Sequence, residues 1–388
     1  MKKLDLVLIN MSCFSDWQQG TSNRNFHIFQ ELERSTDINH IMCVDYPPLK
    51  LKRVFRNYKD SVLTKLDGAK TIYHHPFGKV SKLSDRVFVY SFVDFYWQPK
   101  KFVERLRHYL TELGFTDYLC WSFFPPLTEQ LDQLKSQLYI FDAVDNWADH
   151  SSYKKERPRL LRNYELIKNK ADIIFTVAEE LQKLFGNQSN VYWIPNGVDL
   201  KHYQRDIKLV NRDIADLPRP VIGYIGVIQD RVDLDLIKYL AQEHPKKSFV
   251  LIGPTWYEAE IKELEKLPNI HLLGYKSYEE APMYIQQFDV GLIPHKQSAF
   301  VTSTNPMKMF EYLACGKPVV ATAKSGAEMF QDYVYLANDQ ASFSRLIDQA
   351  LAEHSQDKEQ ERKSLMENYS WTKTVKEMLK IIEKKLNY

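Results

Sequence analysis

At 388 residues the chain is long enough for two cores, since single hydrophobic cores stop growing well before that length. Its composition, 44% hydrophobic and 26% charged with a formal net charge of +2, is that of a soluble globular protein and argues against a nucleic-acid or other general polyanion binder. No apolar run approaches the roughly 20 residues of a membrane span. The four cysteines (13, 43, 120 and 315) show neither Cys-x-x-Cys nor a zinc-like His spacing, so they read as reduced packing residues.

The N-terminal MKKLDLVLIN begins like a secretory signal, but Asp5 and Asn10 interrupt the apolar run, and a first buried strand is expected. A polar loop (MSCFSDWQQGTSNRN), an amphipathic helix (FHIFQELERS) and strands at INHIMCVDYP and RVFVYSFV follow. Next come the helix FVERLRHYLTELG, the strands DYLCWSF and LYIFDAVD, the helix PRLLRNYELIKNKA, a strand and helix in DIIFTVAEELQKLFG, and NVYWIPNGVD. Such alternation predicts a parallel sheet covered by helices on both faces. Between Leu49 and Arg107 fourteen Lys/Arg face only five Asp/Glu, with aromatics interleaved. That stretch is either a surface for an anionic membrane or pyrophosphate-bearing acceptor, or a solvated face over an ordinary core.

After the linker-like IADLPRP the pattern restarts: VIGYIGVI, SFVLIGP, IHLLGY, DVGLIP, KPVVATA and YVYLA alternate with helical segments. A long amphipathic helix, WTKTVKEMLKIIEKKLNY, ends the chain. The expected fold class is α/β, with two Rossmann-like doubly wound domains: residues 1–198, with the helix of about 370–388 packing back on them, and residues 199–369.

Within STNPMKMFEYLACGKPVV, Pro306 suits a helix start and Gly316 its left-handed end, placing Lys308 and Glu311 near the N-terminus on one face. The helix dipole favours an anion, Lys308 adds a point charge for a diphosphate, and Glu311 can accept from a vicinal diol such as a ribose. Ser303, Thr304 and Asn305 add N–H and hydroxyl donors in the preceding loop, or act as ordinary caps. A diphosphate joined to a ribose is a nucleotide, although a solvated Lys and Glu would give the same spacing.

NPMKMFEYLACGKPVVAT, YWIPNGVD, VIGYIGVI and FVLIGP together resemble GT-B glycosyltransferases, and among them bacterial teichuronic-acid and xanthan glucuronosyl enzymes. The resemblance implies a nucleotide-sugar donor bound mainly by the second domain, with Glu311 on the ribose, Lys308 on the diphosphate and Met307 near the base. It also implies an aromatic-like role for His295 beside uracil, a backbone approach to the phosphates at Gly226, and Arg231 as a diphosphate partner. Acceptor contacts would come from the first loop, at Trp17, Gly20 and Arg24, with pairing to Glu31 or another helix residue as the alternative for Arg24. One departure stands out: retaining relatives carry Glu, seven residues, Glu, and the position of the first is Ser303 here. That absence favours an inverting transfer.

Inversion needs a general base for the acceptor hydroxyl. Asp145, just past the strand in FDAVDNWADH, is the first candidate, beside Trp147 as a sugar-stacking surface; Asp142 is the second, and helix capping is the alternative. No Asp-x-Asp in a strand context suggests a metal, so neither metal nor other cofactor is expected, with a UDP-sugar as substrate. The expected activity is transfer from a UDP-sugar to a cell-envelope or exported polysaccharide, lipid-linked, at the cytoplasmic membrane face. A GT-B nucleotide-sugar epimerase and a non-catalytic nucleotide-sugar binding protein are the rivals.

Overall fold

The computed structural model describes residues 3–45, 58–93, 99–207, 212–255 and 258–387. Part of the basic stretch, at 49–57 and 94–98, lies outside them. The chain divides into two units, Met1–Ile194 with Val375–Tyr388, and Pro195–Thr374.

The first unit is built on a nine-stranded sheet in the order β3-β4-β5-β2-β1-β6-β7-β8-β9. Its strands are β1 (Leu4–Ile9), β2 (Ile38–Val44), β3 (Lys70–His75), β4 (Gly78–Lys82), β5 (Val87–Phe92), β6 (Leu119–Ser122), β7 (Tyr139–Ala143), β8 (Ile173–Thr176) and β9 (Val191–Trp193). From β5 through β9 neighbouring strands run parallel, and the central ones are buried along almost their whole length, as continuous runs such as LDLVLI demand when both faces are covered. The wholly parallel expectation needs one correction: β3 and β4 form a hairpin that adds antiparallel to β5, making β3 an edge strand. The terminal helix (Trp371–Leu386) buries Val375, Met378 and Ile382. Near its end Glu383, Leu386 and Asn387 line a small cavity with Lys3, Leu4, Thr116, Asp117 and Gln137.

The second unit has six parallel strands in the order β12-β11-β10-β13-β14-β15. These are β10 (Val221–Ile225), β11 (Ser248–Ile252), β12 (Ile270–Gly274), β13 (Val290–Ile293), β14 (Val319–Thr322) and β15 (Val334–Ala337). Numbered within the unit this is 3-2-1-4-5-6, the doubly wound order whose switch point lies between the first and fourth strands, here β10 and β13. Two apolar cores, one on each face of the sheet, are filled by helices such as Met307–Ala314 and Leu234–Glu243.

Candidate functional site

The second unit's candidate site lies at the carboxyl ends of β10 and β13. The helix Met307–Ala314 starts at an extended Pro306, and Gly316 just past its end takes φ +74°, as the Pro and Gly signals require. Lys308 and Glu311 are half-buried and one turn apart; Met307, also half-buried, opens the helix. The Lys308 ammonium sits 5.1 Å from the centre of the Tyr224 ring. A Cβ added to Gly226, just past β10 at φ +141°, would come within 3.1 Å of Lys308 Cε and 3.3 Å of its Nζ. The bare backbone there is what leaves room for the lysine. The Tyr203 hydroxyl donates to Glu311 and holds one side of the carboxylate.

Arg231 and His295 approach the same lysine because Val232 and His295 form an antiparallel bridge, and Lys296 N–H donates to the Arg231 carbonyl at 2.8 Å. Burial first, then the Arg231 charge, pushes the Lys308 ammonium down to about 7, against the pull of Glu311. Burial raises Glu311, while Lys308 and Tyr203 oppose the shift. His295 is 1% exposed, and burial, Lys308 and Arg231 all keep its ring neutral; neither ring nitrogen has a hydrogen-bond partner. The expected role beside uracil is therefore corrected, because a sealed ring offers no face to a base. Its place is among the cations.

The loop before the helix also departs from expectation. The Ser303 and Thr304 hydroxyls donate to the Phe300 and Val301 carbonyls, both at 2.7 Å. Asn305 is clasped by Asn196, whose backbone N–H reaches the Asn305 side-chain oxygen at 2.8 Å and whose amide reaches the Asn305 carbonyl at 2.6 Å. These three side chains shape the loop rather than present donors to an anion. Among the helix's leading N–H groups, Met309 donates to the Pro306 carbonyl at 3.1 Å, and those of Met307 and Lys308 remain for that task.

In the first unit, Asp145 is half-buried two residues beyond β7, and Trp147 N–H donates to its carbonyl at 3.1 Å. Asp142, inside β7, is 0% exposed and accepts from Arg24 Nε at 2.8 Å; burial raises its carboxyl and Arg24 opposes that. Asp142 as base and Arg24 as acceptor contact are both corrected: each is an inward strut, and Arg24 pairs with Asp142 rather than Glu31. Trp17 is corrected on the same ground, at 5% exposure and stacked on Phe29 at 5.4 Å. So is Trp147, at 6% exposure and stacked on Tyr153 at 5.1 Å. Gly20 turns the first loop at φ +91°, a conformation glycine adopts freely.

Residues 219–353, which carry every donor-side candidate, match the family described as Glycosyl transferases group 1. That match covers about a third of the chain. The chain is 32% identical over 235 residues, 55% of its own length, to the putative teichuronic acid biosynthesis glycosyltransferase TuaH of Bacillus subtilis (strain 168). That match spans 58% of the relative, less than two thirds of it. A sucrose-phosphate synthase from Thermosynechococcus elongatus shares the fold at TM-score 0.73 and 16% identity, over 98% of this chain and 99% of that one. Anabaena HepE, solved in complex with UDP and glucose, does so at 0.68 and 14%, over 98% and 99%. The fold is GT-B.

The second unit contains contacts that sequence reading missed. Tyr203 and Tyr224, which touch Glu311 and Lys308, sit far from both in the chain and gave no local signal. Gly326, at φ +79°, packs against the Thr304 carbonyl so closely that an added Cβ would collide with it. Asn196 did have a signal, its place in YWIPNGVD, but the partner across 109 residues was not readable.

Proposed function

We propose that the chain is a glycosyltransferase moving a sugar from a UDP-sugar to a cell-envelope or exported polysaccharide carried on lipid, at the cytoplasmic face of a membrane and without a resident metal. The observation that carries this reading is the gathering of Lys308, Arg231 and a helix N-terminus against bare backbone at Gly226, with Glu311 one turn on. HepE's complex with UDP and glucose and TuaH's place in teichuronic acid biosynthesis support the donor and the acceptor class.

In this mechanism Lys308 and Arg231 neutralise the charge that grows on the departing diphosphate, the task a metal performs elsewhere. Glu311, steadied by Tyr203, accepts from the ribose hydroxyls. Asp145 takes the acceptor hydroxyl proton as its oxygen bonds to the anomeric carbon and the bond to the diphosphate breaks. Ser303, standing where retaining relatives carry glutamate, favours inversion.

A melting-temperature screen against nucleoside diphosphates and UDP-sugars, followed by UDP release with an acceptor extract, tests the reading. UDP should raise the melting temperature, and a UDP-sugar should turn over; neither happening discards the transferase. Asp145→Asn should abolish transfer with the UDP dissociation constant within about twofold of wild type, consistent with a residue that binds no nucleotide. An active mutant discards that base.

A further inference from the structure

The hairpin β3–β4 plays no part in the chemistry above, yet its tip is both braced and exposed. Tyr58 hydroxyl donates to the Pro76 carbonyl at 3.0 Å, and Val93 N–H donates to the Phe77 carbonyl at 2.8 Å. A small apolar cluster of Tyr58, Val62 and Val93 supports it from beneath. On this fixed base Phe77 is 44% exposed, and Leu63, which follows Val62 at the end of the helix Tyr58–Leu63, is 61% exposed. They are two of the four exposed large hydrophobics among the described residues.

Cations lie on the same segments. Lys59 is exposed next to Tyr58; Lys65 is exposed next to Thr64, whose carbonyl accepts the Lys79 ammonium. Arg105 is near enough to His75 to oppose its protonation. Lys82, further along the hairpin, is neutralised by Asp85 at 2.7 Å, whereas Lys59, Lys65 and Arg105 have no carboxylate partner among the described residues. Two exposed apolar side chains, with positive charge on the same segments that has no carboxylate partner, match the headgroup boundary of an anionic bilayer, which takes apolar groups below and basic groups at its surface. A soluble polyanion would use the charge and not the exposed apolar side chains of Phe77 and Leu63.

We propose that the hairpin tip docks the chain on an anionic lipid bilayer, with Phe77 and Leu63 entering the interface and Lys59, Lys65 and Arg105 on its charged surface. The proposal extends the reading of a lipid-carried acceptor by naming the surface that meets the lipid.

Co-sedimentation of the full chain with vesicles of phosphatidylcholine, with and without 30% phosphatidylglycerol (about one lipid in three), tests it. Binding is expected only to the anionic vesicles and should weaken as salt rises. Phe77→Ser with Leu63→Ser should cut it about tenfold or more, and Lys59→Glu with Lys65→Glu by a similar factor. All four substitutions are at the surface, so UDP should still raise the melting temperature of each variant. Binding that ignores the Phe77 and Leu63 changes, that an equal charge of soluble heparin abolishes in wild type and double serine variant alike, or that never occurs on anionic vesicles overturns the proposal. Loss of the UDP response in wild type would instead count against the transferase reading, so the two failures are distinguishable.

Discussion

Lys308 shares its surroundings with Arg231, the neutral His295 ring and Glu311, so its proton takes part in any binding event. Burial and the Arg231 charge disfavour its ammonium and bring it down to about 7. A diphosphate supplies the missing negative charge and raises that value. The bound state then holds more protons than the free state between the two pKa values, so affinity must fall as pH rises through that window. UDP should bind with little pH dependence below about 7 and weaken by up to about tenfold per pH unit above it. Calorimetry at pH 8 in two buffers of different ionisation enthalpy should count an absorbed proton, and Lys308→Met should lose both the proton and most of the affinity. Binding that is flat from pH 6 to 9 would show that Lys308 keeps its charge with or without the nucleotide. Glu311 and Lys308 were readable from their spacing, because two residues one helical turn apart share a face in any helix. What Tyr203 adds to Glu311 was not readable, since nothing local announces a hydroxyl 108 positions away.

At the scale of elements, strands buried on both faces were the most legible, because runs such as LDLVLI and VIGYI leave no polar face for any other structure. The hairpin β3–β4 was missed for the opposite reason: KTIYHH is half exposed, lacks a clean alternation and turns through Pro76-Phe77 without the usual Asn-Gly signal. The helix Gln356–Met366 escaped too, being polar nearly all round with only Arg362 and Met366 buried. The loop 303–306 depends on an element far from it. Gly326 lies against the Thr304 carbonyl, and Asn196 clasps Asn305 from the other side. Gly326→Ala would both strain a left-handed backbone and press on that carbonyl, at about 1–3 kcal/mol. The loop must move, and the helix start it aims moves with it. The variant should melt lower and bind UDP more weakly, whereas Gly68→Ala, equally left-handed but with open space around it, should lower stability alone. Equal UDP affinity in the two would separate the loop from the donor site.

For the whole molecule, the sequence order and the unit order differ: the chain leaves the first unit after Ile194 and re-enters it at Val375. The returning helix buries Val375, Met378 and Ile382, and its polar end reaches Lys3, Leu4 and Thr116 around the cavity. Removing residues 375–388 therefore strips apolar cover from the first unit and takes nothing from the two cores of the second. Burying one large aliphatic side chain is worth about 1.5–3 kcal/mol, so losing three should cost the first unit several kcal/mol, a large share of a domain's usual stability. Scanning calorimetry of the full chain with and without UDP identifies the transition that belongs to the donor unit, since ligand at a hundred times its dissociation constant stabilises its own unit by about 2.7 kcal/mol. In the truncated chain the UDP-responsive transition should stay within a few degrees of its original temperature while the other falls or disappears. A loss of the UDP-responsive transition on truncation would mean that the donor unit depends for its folding on a helix grouped with the other unit, and the division at Thr374 would have to be abandoned.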